Sequence, residues 1–228
     1  MTQVEARLAG ASLAERAFYR VARSLLVGAC RLLLRLRVTG REHVPASGAY
    51  LVAPIHRSNV DTPIAAAVTP RRVRFMGKDS LWKVRWLGAV LSALGGFPVT
   101  RGTADLEAMR RCLEVLRRGE PLVVFPEGTR QSGPSVHPLF DGAAYLAVKA
   151  GVPIIPVGIG GSEHVMPKGS WGVRLRRCHV TIGAPIVPPA VTDRAAVREA
   201  TAALTRELSL RLQEAFDDAR QRAGDRPA

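Results

Sequence analysis

The chain is poor in several residue types, and each shortage removes a class of protein. Three cysteines stand in 228 residues, Cys30, Cys112 and Cys178, far apart in sequence. That spacing offers neither a disulfide framework nor a zinc pattern, so each reads as a small buried hydrophobe in a reducing compartment. Aromatic residues make up 5%, and no recognition-helix, zinc-finger or base-stacking motif accompanies them, so no specific nucleic-acid partner is expected. No apolar run approaches the roughly 20 residues of a membrane span. The best candidate, "SLLVGAC", is short and bracketed by Arg23 and Arg31. The opening "MTQVEARLAG" carries acidic Glu5 and no apolar stretch behind a basic start, so it does not read as a secretory signal. His43, His137, His164 and His179 lack metal-ligand spacing, and no G-x-S-x-G nucleophile elbow occurs, so no metal site is expected.

What is abundant is arginine. The formal net charge is +14, and lysine contributes only Lys78, Lys83, Lys149 and Lys168. Such an excess fits an anionic partner: nucleic acid, a phosphate-bearing substrate or an acidic membrane face. A coding bias towards arginine and alanine produces the same signal. With 47% hydrophobic and 23% charged residues the chain reads as globular, and its length suits one domain.

Residues 13–37, "LAERAFYRVARSLLVGACRLLLRLR", predict an amphipathic helix. Phe18, Val21, Leu25, Ala29, Leu32 and Leu36 follow a three-to-four spacing, with Arg16, Arg20, Arg23, Arg31 and Arg35 between them. Such a helix can lie in a membrane interface with its arginines on anionic headgroups, or pack on its own domain. Beyond it, strand-like runs ("AYLVAPI", "RRVRFMG", "PLVVFPEG", "PIIPVGIGG") alternate with helix-like ones ("SLWKVRWLGAVLSAL", "ADLEAMRRCLEVLRRG", "GAAYLAVKAG"). "RLRRCHVTIGAPI" reads as a late, more exposed strand, and the tail from Asp193 to about Arg222 as a long helix. The expected fold class is α/β, a mostly parallel central sheet flanked by helices, with an N-terminal amphipathic helix. The expected organisation is an interface helix over 1–37 and an α/β domain over 38–228.

In such sheets ligands gather where strands end. "HRSNVD" places His56 after one strand and Asp61 five residues on. Either a turn folds the carboxylate back to orient a general base, or the two merely share a polar turn. "VVFPEGTR", residues 123–130, ends another strand in Glu127, Gly128, Thr129 and Arg130. Gly128 permits close approach of backbone N–H groups to an anion, and Arg130 suits phosphate. Glu127 would accept from a substrate hydroxyl or position a basic residue. Arg101 in "GGFPVTRG" and Lys78 in "FMGKDS" are further phosphate-ligand candidates, or solvated loop cations.

Four blocks in order carry a resemblance: "HRSNVD", "GFPVTR", "FPEGTR" and "VPIIPV". Over roughly residues 38 to 187 the chain resembles the glycerolipid acyltransferases, specifically the 1-acyl-sn-glycerol-3-phosphate (lysophosphatidate) acyltransferases. The resemblance implies that His56 is the general base and Asp61 its orienting partner. It implies that Arg101, Glu127, Gly128, Thr129 and Arg130 hold the glycerol phosphate, helped by Lys78. The implied donor is an acyl-CoA or acyl carrier protein thioester, the acceptor lysophosphatidate or glycerol 3-phosphate, and no metal or bound cofactor is required. Two positions depart from the family pattern: Ile55 stands where many members have asparagine, and Asp141 where a lysine often precedes the glycine. A lysophospholipid acceptor lives in a bilayer. The expected location is therefore peripheral, on the cytoplasmic face of an anionic membrane, docked by the arginine-rich helix and by Trp82 and Trp86.

Overall fold

The computed structural model describes residues 13–99, 106–167 and 172–225. In chain order the elements are α1 (Leu13–Leu33), β1 (Arg37–Thr39), β2 (Leu51–Pro54), α2 (Asp61–Ala65), β3 (Arg74–Lys78), α3 (Arg85–Ala93) and β4 (Gly96–Val99). There follow α4 (Leu106–Arg117), β5 (Leu122–Val123), α5 (Gly142–Ala150), β6 (Ile154–Gly160), α6 (Ser162–Val165), β7 (His179–Ile182) and α7 (Arg194–Ala223).

The strands form one sheet in the order β1-β7-β6-β2-β5-β3-β4. Every neighbouring pair is parallel except β6 with β7. The C-terminal ends of β2, β3, β5 and β6 therefore share one edge. Because Gly160 pairs with His179, β7 begins on that same edge. The buried strands are apolar on both faces, as parallel strands covered by helices must be; all seven residues of β6 are buried. The sequence reading placed the late strand in a more exposed setting. Instead His179, Val180 and Ile182 are buried, because β1 covers one edge of β7 and β6 the other.

Helix α7 follows from its termini and its stripe. Asp193 caps it, its Oδ1 accepting from the Ala195 and Ala196 amides at 2.9 Å each, which satisfies two of the donors a helix start leaves free. Val197, Ala200, Leu204, Leu208 and Leu212 are buried along one face. The helix lies directly on β6. A Cβ at Gly158 or Gly160 would collide with the backbone carbonyls of Ala215 and Ala219, so glycine there is a condition of close helix–sheet approach.

Helix α1 is amphipathic, but not with the partner its pattern invites. Tyr19, Val27 and Cys30 face the body. The Tyr19 hydroxyl accepts from the Val73 amide at 3.1 Å, and the Arg23 guanidinium donates to the carbonyls of Ala66 and Thr69. Phe18, Val21, Leu25 and Leu32, the row predicted from periodicity, face outward and are exposed. Leu36 belongs to that row in sequence yet is buried, because the helix ends at Leu33 and the chain turns into β1. The boundary expected after residue 37 thus falls inside β1. Trp82 is half-buried and donates through Nε1 to Ser92 Oγ at 2.9 Å, whereas Trp86 is 70% exposed. Among the described residues no helix is long and apolar enough to cross a membrane.

Candidate active site

Strand β2 ends at Pro54, and two residues later His56 stands at the sheet edge. The turn His56–Val60 then delivers Asp61 to the start of α2. Asp61 is fully buried, and its Oδ2 receives the His56 ring Nδ1 at 3.1 Å and the Arg57 and Ser58 amides at 2.6 Å each. An atom accepting two backbone N–H groups is a carboxylate oxygen, so Nδ1 donates. That assigns the tautomer by its partner and leaves Nε2 as the acceptor. The ring is stacked on Phe125, centroids 4.1 Å apart and planes inclined by 25°. The side chain keeps 15% exposure.

The second motif grips the same residue through its backbone. Strand β5 leads into Phe125, Pro126 and Glu127. Glu127 Oε2 accepts the His56 amide at 3.1 Å, and the Gln131 amide donates to the His56 carbonyl at 2.9 Å. Both polar groups of the His56 main chain are thus bonded to the 127–131 bend. The Glu127 side chain is buried and meets Arg57 Nη1 at 2.8 Å and 3.0 Å, while its Oε1 also takes the His137 amide at 3.0 Å. Every oxygen of Glu127 therefore has a protein donor. It thus positions a basic residue, one of the two roles its place in the motif allowed. Gly128 and Thr129 close the turn. Their amides donate to Phe125 and Glu127 carbonyls at 3.0 Å and 2.8 Å, so both N–H groups are spent inside the turn. Gly128 has φ +70°, and a Cβ there would press on the Phe140 ring at 2.8 Å.

Arg130 is half-buried beside this turn and makes no ion pair or side-chain hydrogen bond among the described residues. Lys78 closes β3, on the same sheet edge as His56. Arg101 lies outside the described residues. The residue that sequence reasoning missed is Arg57. It is 1% exposed and donates to the carbonyls of His56, Gly133 and Ser135 at 3.1, 3.2 and 2.8 Å as well as to Glu127. Its guanidinium lies 5.0 Å from the Phe216 ring centroid. The available signal was opposite charge at the ends of two strands that become neighbours.

Between α1, α2 and α3 an apolar groove of about 160 Å³ opens, lined by Tyr19, Leu26, Pro63, Phe75, Leu91 and Leu94 among others. Pro63 is two residues past Asp61, so the groove begins behind the His–Asp turn. A larger groove of about 730 Å³, between α4, α5 and α7, contains none of the residues just described. No cysteine competes as a nucleophile. All three are buried, and burial, then the charges of Asp61 and Asp225 and neighbouring Cys30, push the Cys178 thiol up to about 12. No group of three or more histidine, cysteine or acidic residues is placed to hold a metal ion among the described residues.

Fold and site define a class: an α/β enzyme with a carboxylate-oriented histidine at the edge of its sheet. The Acyltransferase family model matches residues 35–160, and the chain belongs to that family. It is 27% identical over 191 residues to the 1-acyl-sn-glycerol-3-phosphate acyltransferase of Bacillus subtilis, covering 82% of this chain and 92% of that protein. It is 31% identical over 192 residues to the alpha form from Bos taurus, 77% of this chain and 64% of that one. It is 29% identical over 139 residues to a chloroplastic 1-acyl-sn-glycerol-3-phosphate acyltransferase from Brassica napus, where the match spans 60% of this chain and only 40% of the plant protein. Among solved structures, the crystal structure of the 1-acyl-sn-glycerophosphate acyltransferase PlsC from Thermotoga maritima superposes with a TM-score of 0.68. The match is 26% identical and covers 86% of this chain and 80% of that one.

Proposed function

We propose that the chain transfers a fatty acyl group from a thioester, acyl-CoA or acyl carrier protein, to the free hydroxyl of 1-acyl-sn-glycerol 3-phosphate, giving phosphatidic acid. The observation that carries the reading is the double hold on His56. Asp61 fixes its ring at 3.1 Å, and the 127–131 bend fixes both polar groups of its main chain. The base and the 127–131 bend thus form one rigid wall, against which an acceptor hydroxyl can be held for attack on the thioester carbonyl.

In the reaction His56 Nε2 takes the proton of the acceptor hydroxyl as its oxygen attacks the thioester carbonyl. Asp61 stabilises the imidazolium that forms. Collapse of the tetrahedral intermediate expels the donor thiolate, which recovers the proton from the imidazolium. Arg130, with Arg101 and Lys78, holds the acceptor phosphate. The apolar groove between α1, α2 and α3 takes an acyl chain, and the outward row of α1 rests in the interface of an anionic membrane on its cytoplasmic face, where the acceptor resides.

The test is turnover by the purified chain against a panel of acyl donors and acceptors, with products identified by mass spectrometry. His56→Ala is expected to keep the fold and lose activity by about 10²- to 10⁴-fold. Undiminished turnover by that variant would remove His56 from the mechanism. Acylation of glycerol 3-phosphate but not of lysophosphatidate would overturn the acceptor.

A further inference from the structure

Ahead of β7 the chain runs Val173-Arg174-Leu175-Arg176-Arg177, all exposed, with no helix or strand. Apolar and basic residues alternate. Arg174, Arg176 and Arg177 line a hollow of about 420 Å³, together with His164, Gly161 and Asp225. Val173 and Leu175 lie outside that hollow, 57% and 63% exposed. None of the three guanidinium groups forms an ion pair among the described residues. The segment is nonetheless anchored. Arg174 donates its amide to the Val165 carbonyl at 2.8 Å, Cys178 its amide to Leu34 at 2.9 Å, and Arg37 its amide to Cys178 at 3.3 Å.

Those last two bonds set the segment beside the end of α1. There Leu32 and Leu33 are exposed, 80% and 51%, between exposed Arg31 and Arg35. Two separate stretches of chain, tied together at Cys178 and Leu34, therefore present the same composition: bare aliphatic side chains interleaved with arginines that form no ion pair among the described residues. A soluble anion would be served by the arginines alone and gives no reason for Val173 and Leu175 to stand in water. A bilayer surface uses both, phosphate for the guanidinium groups and the acyl boundary for the aliphatic ones.

We propose that residues 173–177 form a second lipid-contact element, whose arginines and hollow seat the phosphate of an anionic phospholipid headgroup while Val173 and Leu175 enter the acyl boundary. The proposal rests on the membrane reading of α1 given above. It fixes the side on which the molecule docks: the end of the sheet edge where β7 begins and α1 ends.

The experiment uses the full chain and two surface variants, Arg174→Gln/Arg176→Gln/Arg177→Gln and Val173→Ser/Leu175→Ser. Circular dichroism checks their folding. Partition is measured on vesicles of phosphatidylcholine alone and of phosphatidylcholine with phosphatidylglycerol, and acyl transfer with a short-chain, monomeric acceptor. Loss of three arginines is expected to weaken partition on the anionic vesicles by tenfold or more, since each cation near such a surface acts separately. Loss of Val173 and Leu175 is expected to weaken it on both vesicle types. Turnover of the monomeric acceptor is expected to stay at the parent level. Parent-like partition of the triple glutamine variant overturns the proposal. So does a rise in donor KM with the monomeric acceptor, which would assign the hollow to donor phosphates. A chain that binds vesicles in this arginine-dependent way but acylates no acceptor would refute the acyltransferase reading and leave the docking surface intact.

Discussion

Arg57 and Glu127 hold opposite charges where water does not reach them. A buried pair of this kind owes its tolerance to full satisfaction, and here each oxygen of Glu127 has a donor, while Arg57 serves four acceptor residues. Arg57→Met keeps much of the volume and strands the carboxylate. It is expected to destabilise the chain by about 3–5 kcal/mol, read from denaturant midpoints. Arg57→Lys should fall between, since one ammonium cannot span the carbonyls that the fork reaches. A Met variant with the parent's midpoint would mean that the pair does not hold the two motifs together. The His–Asp spacing was readable in sequence because one turn closes it. The Arg57–Glu127 pair was not, because only the sheet order makes β2 and β5 neighbours.

Elements were readable to the degree that they carry their own termini. Helix α7 has an N-cap in Asp193 and a left-handed C-cap in Gly224, and its stripe matches its buried face. Helix α5 ends at Gly151 in the left-handed region. Direction and partner are not local properties. The periodicity of α1 revealed an apolar row but not that Tyr19, Val27 and Cys30 would take the body while Phe18, Val21 and Leu25 stayed outside. Strand β7 showed nothing in its residues of its antiparallel pairing. The contact of α7 with β6 gives the prediction at this scale. Gly158→Ala places a methyl against the Ala215 carbonyl. With backbone on both sides neither partner yields easily, so a loss of about 1–3 kcal/mol is expected from thermal or chemical unfolding. A neutral result would mean that α7 can ride up off the sheet.

At the scale of the molecule, α1 is both a surface and a wall. It leaves a row of apolar side chains exposed, yet it closes one apolar cluster through Val27 and Cys30 and satisfies the Val73 amide. The described part of that span, Leu13–Leu33, is therefore packed as part of the body. The full chain is expected to melt in one transition, coincident by circular dichroism and tryptophan fluorescence. A chain lacking residues 1–33 should melt earlier or aggregate, since its cluster is uncovered. Two separated transitions in the full chain would show that the helix folds apart from the sheet. Membrane binding is for this reason better probed by exchanging exposed residues than by truncation.

The pairing of Arg37 with His179 has a consequence for the chain as it is made. Among the described residues β1 has no neighbour in the sheet except β7, which is made after all the other strands. Until that partner emerges, the oily outer row of the leading helix and the open edge behind it are without shelter. Nascent chains stalled before β7 should be clients for holdase chaperones, or should settle early on a nearby bilayer.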